Sequence, residues 1–207
     1  GTLVQKAAAE RTLKVVLELG GKSPQIVFDD ADLERAATFI LKAITQNAGQ
    51  TCSAGSRLLV QEDIYDSFTK RVAEAFAKVK VGTPEQDLDC GPIVNKKQFE
   101  RVNGFIDHAI ATGVPLLARG SLADGVAKDG YFVAPALFGA VPRDHKLACQ
   151  EVFGPVLAAM PFVDEADALR LANDTEFGLV SGVWTENGGL QQRMAQRLHT
   201  GQVFINC

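Results

Sequence analysis

Apolar residues recur along this chain with two alternating periods, one suited to strands and one to helices. Residues 12–19 are apolar and β-branched and stop at Gly20-Gly21, which predicts a buried strand ending in a turn. Residues 25–28 predict a second strand, running into Asp29-Asp30-Ala31-Asp32, which suits a helix N-cap and the positive end of a helix dipole. Leu33, Ala36, Ala37, Ile40, Leu41 and Ile44 then fall on one helical face, and that helix is expected to fray over residues 46–49. Residues 57–61 predict a strand, and 64–79 a helix with Phe68, Val72, Ala75, Phe76 and Val79 inward, closed by Gly82-Thr83-Pro84. A long helix is expected over 96–111, a short strand over 116–118, and a Gly- and Asp-rich surface excursion over 119–130. Strands at 156–162, 180–184 and 203–206 then alternate with helices at 165–173 and 190–198. Strands separated by helices predict an α/β fold, a mostly parallel sheet flanked by helices on both faces.

The chain has 207 residues, 46% hydrophobic and 22% charged, which suits a single α/β domain over 1–207. Mean hydropathy is +0.04, and no apolar run approaches the roughly 18 residues a membrane-spanning helix needs. The longest, 152–163, carries Pro155 and Pro161. Lys and Arg total 21 against 25 Asp and Glu, so the net charge of -4 lacks the basic footprint that phosphate backbones select. Neither nucleic acid nor membrane is expected as a partner. The four cysteines, at 52, 90, 149 and 207, form no CxxC pair, which predicts a reduced, cytoplasmic chain. The absence of an initiator Met and the strand-like stop at Val203-Phe204-Ile205-Asn206-Cys207 lead us to expect a piece of a longer polypeptide.

Several chemistries drop out on spacing. Gly21-Lys22-Ser23 could end a phosphate-binding loop, but that loop needs a glycine where Val16 stands. No GxGxxG follows a strand, and no GxSxG elbow occurs. His108, His145 and His199 are far apart in sequence and have no ligand-spaced partners, so no metal is expected.

Cys52 stands out among what remains. It follows a helical segment within Asn47-Ala48-Gly49-Gln50-Thr51-Cys52-Ser53-Ala54-Gly55-Ser56, where glycines and small polar residues leave access to a nucleophilic sulfur. A bend at such a place can offer backbone N–H groups to an oxyanion. The alternative is an ordinary buried cysteine, which is how Cys90, Cys149 and Cys207 read. Glu18, ionisable within an apolar run and just before Gly20-Gly21, either faces solvent at the carboxyl end of its strand or is buried with a raised pKa suited to a general base. Its alternative is an outward-facing Glu on a sheet edge. In Glu151-Val152-Phe153-Gly154-Pro155, an acid and an aromatic two apart share one face before a forced turn, suited to a sugar carrying a planar ring or to a plain strand cap. Functional residues are expected at the carboxyl ends of the strands.

With these motifs in order, the sequence resembles the catalytic domain of the aldehyde dehydrogenase superfamily over nearly its whole length. The resemblance is carried by Leu17-Glu18-Leu19-Gly20-Gly21-Lys22-Ser23-Pro24, the run ending in Cys52, Glu151 to Pro155, 173–179, and Gly201-Gln202-Val203-Phe204-Ile205-Asn206. It implies oxidation of a small-molecule aldehyde with NAD or NADP, Cys52 as nucleophile passing through a thiohemiacetal and a thioester, and Glu18 as base for hydrolysis. It also implies that Glu151 and Phe153 hold the nicotinamide ribose and ring, that the Leu19-Gly20 backbone lies near the carboxamide, and that Thr51 and Ser53 line the substrate path. The oxyanion would rest on the Cys52 N–H and on an Asn outside these 207 residues. The family's cofactor-binding domain and C-terminal segment are not among these residues, and a homo-oligomer is implied for the full-length protein. The competing readings are a fragment with at most Cys52-dependent esterase activity and a non-catalytic structural protein on the same fold.

Overall fold

The computed structural model describes residues 1–127 and 129–207, so Lys128 of the expected 119–130 excursion lies outside the described residues. In chain order the elements are α1 (Thr2–Ala9), β1 (Pro24–Val27), α2 (Leu33–Thr45), β2 (Arg57–Gln61), α3 (Tyr65–Phe76), β3 (Lys80–Val81), α4 (Lys96–Ala111), β4 (Leu116–Arg119) and β5 (Ser121–Leu122). They continue as β6 (Ala136–Phe138), α5 (Lys146–Cys149), β7 (Val156–Phe162), α6 (Glu165–Asn173), β8 (Val180–Trp184), α7 (Gly188–Arg197) and β9 (Gln202–Ile205). Seven strands form one sheet in the order β4-β6-β7-β2-β1-β8-β9, and β3 and β5 form a parallel pair apart from it. Within the large sheet only β4, on the edge, runs antiparallel to its neighbour.

The inner strands of the sheet are buried on both faces, as the apolar runs demand, while the edge strands β4 and β9 are largely exposed. Ile26, Leu59, Ala158, Met160 and Val183 face one way and pack with residues such as Val102, Ile106, Leu147 and Met194. Val27, Leu58, Val60, Ala159 and Trp184 face the other way and meet Ile40 and Ile44 of α2 and Phe68, Val72 and Phe76 of α3. Alternate residues of each strand therefore serve opposite cores, which is why these strands read as continuous hydrophobic runs. Side-chain caps start the helices: Asp32 accepts from Arg35 N–H, Asn95 from Gln98, Asp164 from Asp167 and Asn187 from Leu190.

One predicted strand is absent. Residues 12–19 pair with no strand, and Leu13, Val16 and Leu19 are 57%, 89% and 50% exposed. Both edges of β1 are taken by β2 and β8, so the segment leading into it runs as an unpaired arm beyond the sheet. The α1 helix, the short α5 and the strands β3, β5 and β6 had no expectation, and α3 ends at Phe76 instead of continuing to Val79. Among the described residues no helix is long and apolar enough to cross a membrane.

Candidate active site

The motifs gather at the amino ends of the parallel strands, not at the carboxyl ends as expected. Residues 18–23 precede β1, the Cys52 loop precedes β2, the Glu151 loop precedes β7, and 174–179 precede β8. At the opposite edge, Asp30 instead ties loops together, accepting from Thr185 Oγ1 at 2.9 Å and from Asn187 N–H at 3.0 Å.

Cys52 is carried by a reversal built from three consecutive residues with positive φ, Asn47 (51°), Ala48 (54°) and Gly49 (69°). Non-glycine residues adopt this region at a cost of about 1 kcal/mol or more each. Local bonds offset that cost: Asn47 Nδ2 donates to Gln50 O at 2.9 Å, and the Gln50 side chain spans Asn47 O, Pro92 O and Val94 N–H. Gly49 is required here, because a Cβ would collide with the Gly154–Pro155 peptide. That contact locks the Cys52 loop onto the Glu151 loop.

The Glu151 loop is itself tied down. Gln98 of α4 donates to the carbonyls of Val152 and Phe153 at 2.9 and 2.8 Å, and Arg101 donates to the carbonyl of Glu151. Half-buried Phe153 has a φ of 57°. The Glu151 carboxylate turns to the Gly20-Gly21 backbone, where its Oε1 accepts from Gly21 N–H at 2.9 Å. A Cβ at Gly20 would stand 2.6 Å from Oε2, and one at Gly21 would collide with the Cys52 carbonyl oxygen. The two glycines thus allow one stretch of backbone to pass between carboxylate and nucleophile loop.

Glu18 lies on the exposed arm three residues before Gly21, and among the described residues no hydrogen bond joins it to Cys52. Its expected place within a buried strand is corrected: the carboxylate is solvent-facing, because the arm has no strand partner. Leu19 and Gly20 line a cleft of about 440 Å³ with Leu17, Phe177 and Leu179. Thr51 and Ser53 line a separate cleft of about 430 Å³, walled by Phe39, Phe204 and Cys207. Cys52 itself is half-buried.

Two residues of this region escaped the sequence reading. Arg57, fully buried, donates from Nε to Lys22 O and from its two terminal nitrogens to Leu171 O and Ala172 O, all at 2.8 Å. It thereby caps the last turn of α6, whose carbonyls have no helical partners. Lys22 is 2% exposed and its Nζ has no hydrogen-bond partner among the described residues. Burial first, and then the Arg57 charge, bring its pKa down to about 7 against the opposing pull of Glu151 and Cys149. The only sequence signal for it was a lysine inside the Gly-Gly-Lys-Ser-Pro run.

The remaining thiols differ from expectation. Cys149 and Cys207 are exposed, Cys90 alone is buried, and burial, aided by Asp89, pushes the Cys90 thiol up to about 11. Brief iodoacetamide treatment near neutral pH, read by peptide mapping, is expected to label Cys149 and Cys207 and to modify Cys90 roughly 10²-fold more slowly. Equal labelling of Cys90 would contradict its burial. His108 and His145 also meet, stacked 5.2 Å apart, though among the described residues no group of three side chains is placed to bind a metal.

Comparison with known proteins places the chain in a family. A family model described as the aldehyde dehydrogenase family matches residues 1–207. An aldehyde dehydrogenase of Emericella nidulans is 45% identical over 206 residues, 99% of this chain and 41% of its own length. A crystal structure of a protein assigned as an aldehyde dehydrogenase from Burkholderia cenocepacia superposes with a TM-score of 0.96 at 53% identity, covering 100% of this chain and 43% of that one. Betaine aldehyde dehydrogenase from Staphylococcus aureus, solved with NAD+, gives 0.90 at 37% identity, over 100% of this chain and 41% of that one. The chain therefore spans about two fifths of the length of these relatives. Over its whole length, this chain belongs to the aldehyde dehydrogenase family.

Proposed function

We propose that the whole protein oxidises an aldehyde to a carboxylic acid with NAD or NADP as oxidant, and that residues 1–207 supply its catalytic machinery. The observation that carries this reading is the Gly20-Gly21 backbone lying between the Glu151 carboxylate and the Cys52 carbonyl, which brings the three sequence motifs to one edge of the sheet. Cys52 adds as a thiolate to the aldehyde carbonyl, forming a thiohemiacetal. The Cys52 N–H has no protein acceptor among the described residues and is free to hold the oxyanion. The thioester left on sulfur is hydrolysed by water that Glu18 deprotonates from its exposed arm.

The residues fit a nicotinamide cofactor on two counts. Glu151 Oε2 has no protein donor among the described residues and can accept ribose hydroxyls, and the side-chain-free Gly20-Gly21 backbone lets a flat ring approach. When bound, the cofactor supplies the hydride acceptor. Glu151 and Phe153 would hold its ribose and ring, Leu19 and Gly20 the carboxamide side, while Thr51 and Ser53 line the path of the aldehyde. The NAD+ bound to the Staphylococcus aureus relative supports this choice.

Mixing the whole protein with aldehydes and NAD+ or NADP+, and separately with an activated ester, tests the reading, and reduced cofactor formed in step with acid is the expected result. Ester cleavage without cofactor reduction would leave only the esterase. By calorimetry, the 207-residue chain alone is expected to bind NAD+ weakly or not at all, since the adenine and pyrophosphate contacts lie elsewhere in this reading. Micromolar binding would place the whole dinucleotide site within residues 1–207.

A further inference from the structure

We propose that Lys22 is a positioning residue for the cofactor: its buried amine, beside the Arg57 guanidinium and the Glu151 carboxylate, sets the charge of the nicotinamide end and makes discrimination between oxidised and reduced cofactor change through neutral pH. This deepens the reading above and rests on it.

The placement comes first. Lys22 directly follows Gly21, whose N–H holds Glu151 Oε1, and its own carbonyl is held by Arg57. The side chain is buried, yet Nζ has no hydrogen-bond partner among the described residues, so only the more distant Glu151 and Cys149 charges offset the cost of an ammonium there. Burial and the neighbouring Arg57 bring the amine to about 7, whereas Arg57, lowered by burial to about 10, stays charged. Between pH 6 and 8 Lys22 therefore passes from mostly ammonium to mostly free amine.

The other charges around it are few. Arg57 faces Lys22 from β2, Cys149 from the end of α5 and Glu151 from the loop before β7. Asp174, before β8, acts on Arg57. Arg101 of α4 reaches only the Glu151 backbone carbonyl. Glu18 sits four residues upstream on the exposed arm. The group that changes is Lys22: with Arg57 and the Glu151 carboxylate it sums to one positive charge as ammonium and to zero as amine.

An oxidised nicotinamide ring carries one positive charge and a reduced ring none. Losing the Lys22 proton therefore strengthens binding of the oxidised cofactor and leaves the reduced form nearly unchanged. By linkage, the oxidised cofactor expels a proton from Lys22 on binding, and the reduced cofactor does not. The device weakens the hold on the oxidised form as pH falls.

The test uses the whole protein in a Cys52→Ala, Cys149→Ala background, which removes the nearby thiols that could also release a proton. Affinities for NAD+ and NADH, or for the phosphorylated pair if only those bind, are measured by calorimetry at pH 6 and pH 8. The ratio of oxidised to reduced affinity is expected to rise roughly fivefold. Lys22→Met is expected to hold the ratio at its high-pH value throughout, and Lys22→Arg at its low-pH value. A merely structural lysine would shift both affinities together and leave the ratio's pH dependence in place.

A second measurement needs no change at Lys22. Titrations near pH 7 in buffers of different ionisation heat count the protons released, and NAD+ is expected to release a fraction of a proton more than NADH. Equal release by the two cofactors, or a ratio that still follows pH in Lys22→Met, overturns the inference while the aldehyde-oxidising reading stands. Failure of the whole protein to bind either cofactor overturns both.

Discussion

In the whole protein, Glu18→Gln is expected to give a stoichiometric burst of NADH followed by slow turnover, and Cys52→Ala no burst and a loss of turnover of roughly 10³-fold or more. The two substitutions stop the reaction at different steps. Without the Cys52 sulfur there is no thiohemiacetal and nothing for a hydride to leave. With glutamine at 18 the thioester still forms, but an amide can hold a water without taking its proton. Rapid mixing with aldehyde and cofactor, followed by quenching to trap the acyl-enzyme, separates these outcomes. Loss of the burst in Glu18→Gln would assign the carboxylate to an earlier step, such as deprotonating Cys52.

Arg57→Met is expected to cost about 3–5 kcal/mol of stability, roughly 10 °C in Tm for a chain of this length. Methionine fills much of the space but donates nothing, so the carbonyls of Lys22, Leu171 and Ala172 would lose their 2.8 Å bonds together in a buried place. Arg57→Lys is expected to fall between, since one ammonium cannot reproduce a planar fork spanning two chain segments. Urea unfolding followed by circular dichroism reads both variants. A change below about 1 kcal/mol for Arg57→Met would mean that water replaces the guanidinium at all three carbonyls.

Much of the scaffold was legible because local pattern and tertiary burial agree. The 96–111 helix, the 156–162 strand, the 165–173 helix and the 180–184 strand coincide with α4, β7, α6 and β8, whose caps and double-faced burial leave strong periodic signals. The 12–19 arm failed because an apolar, β-branched run says nothing about whether a neighbouring strand is there to pair with it. β6 escaped notice as three residues after Pro135, strand-like because β4 and β7 pair with it on either side. Cys52, Glu18 and Glu151 could be singled out by residue type and setting, whereas the edge of the sheet to which their segments belong was misassigned. That edge was readable in principle, since each motif comes just before a predicted strand, and a loop that precedes a parallel strand lies at its amino end. Lys22 was passed over because burial of a lysine depends on Arg57 and the Glu151 loop, residues 35 and 129 positions away.

The choice of edge also decides which ends of the helices look at the site. A loop leading into a parallel strand leaves the C-terminus of the preceding helix, so α2, α5 and α6 all deliver their chains to this edge carbonyl-first. The ends of the longer α2 and α6 each carry roughly half a negative charge, and in α6 Arg57 already answers two of the carbonyls. Phosphate-binding folds present helix N-termini to their ligands and attract anions. This edge has the opposite polarity and draws in positive charge. In the proposed reading, the charge of a pyridinium ring would fall on carbonyl dipoles that the fold has already oriented, and these oppose the repulsion from Arg57 and from Lys22 as ammonium.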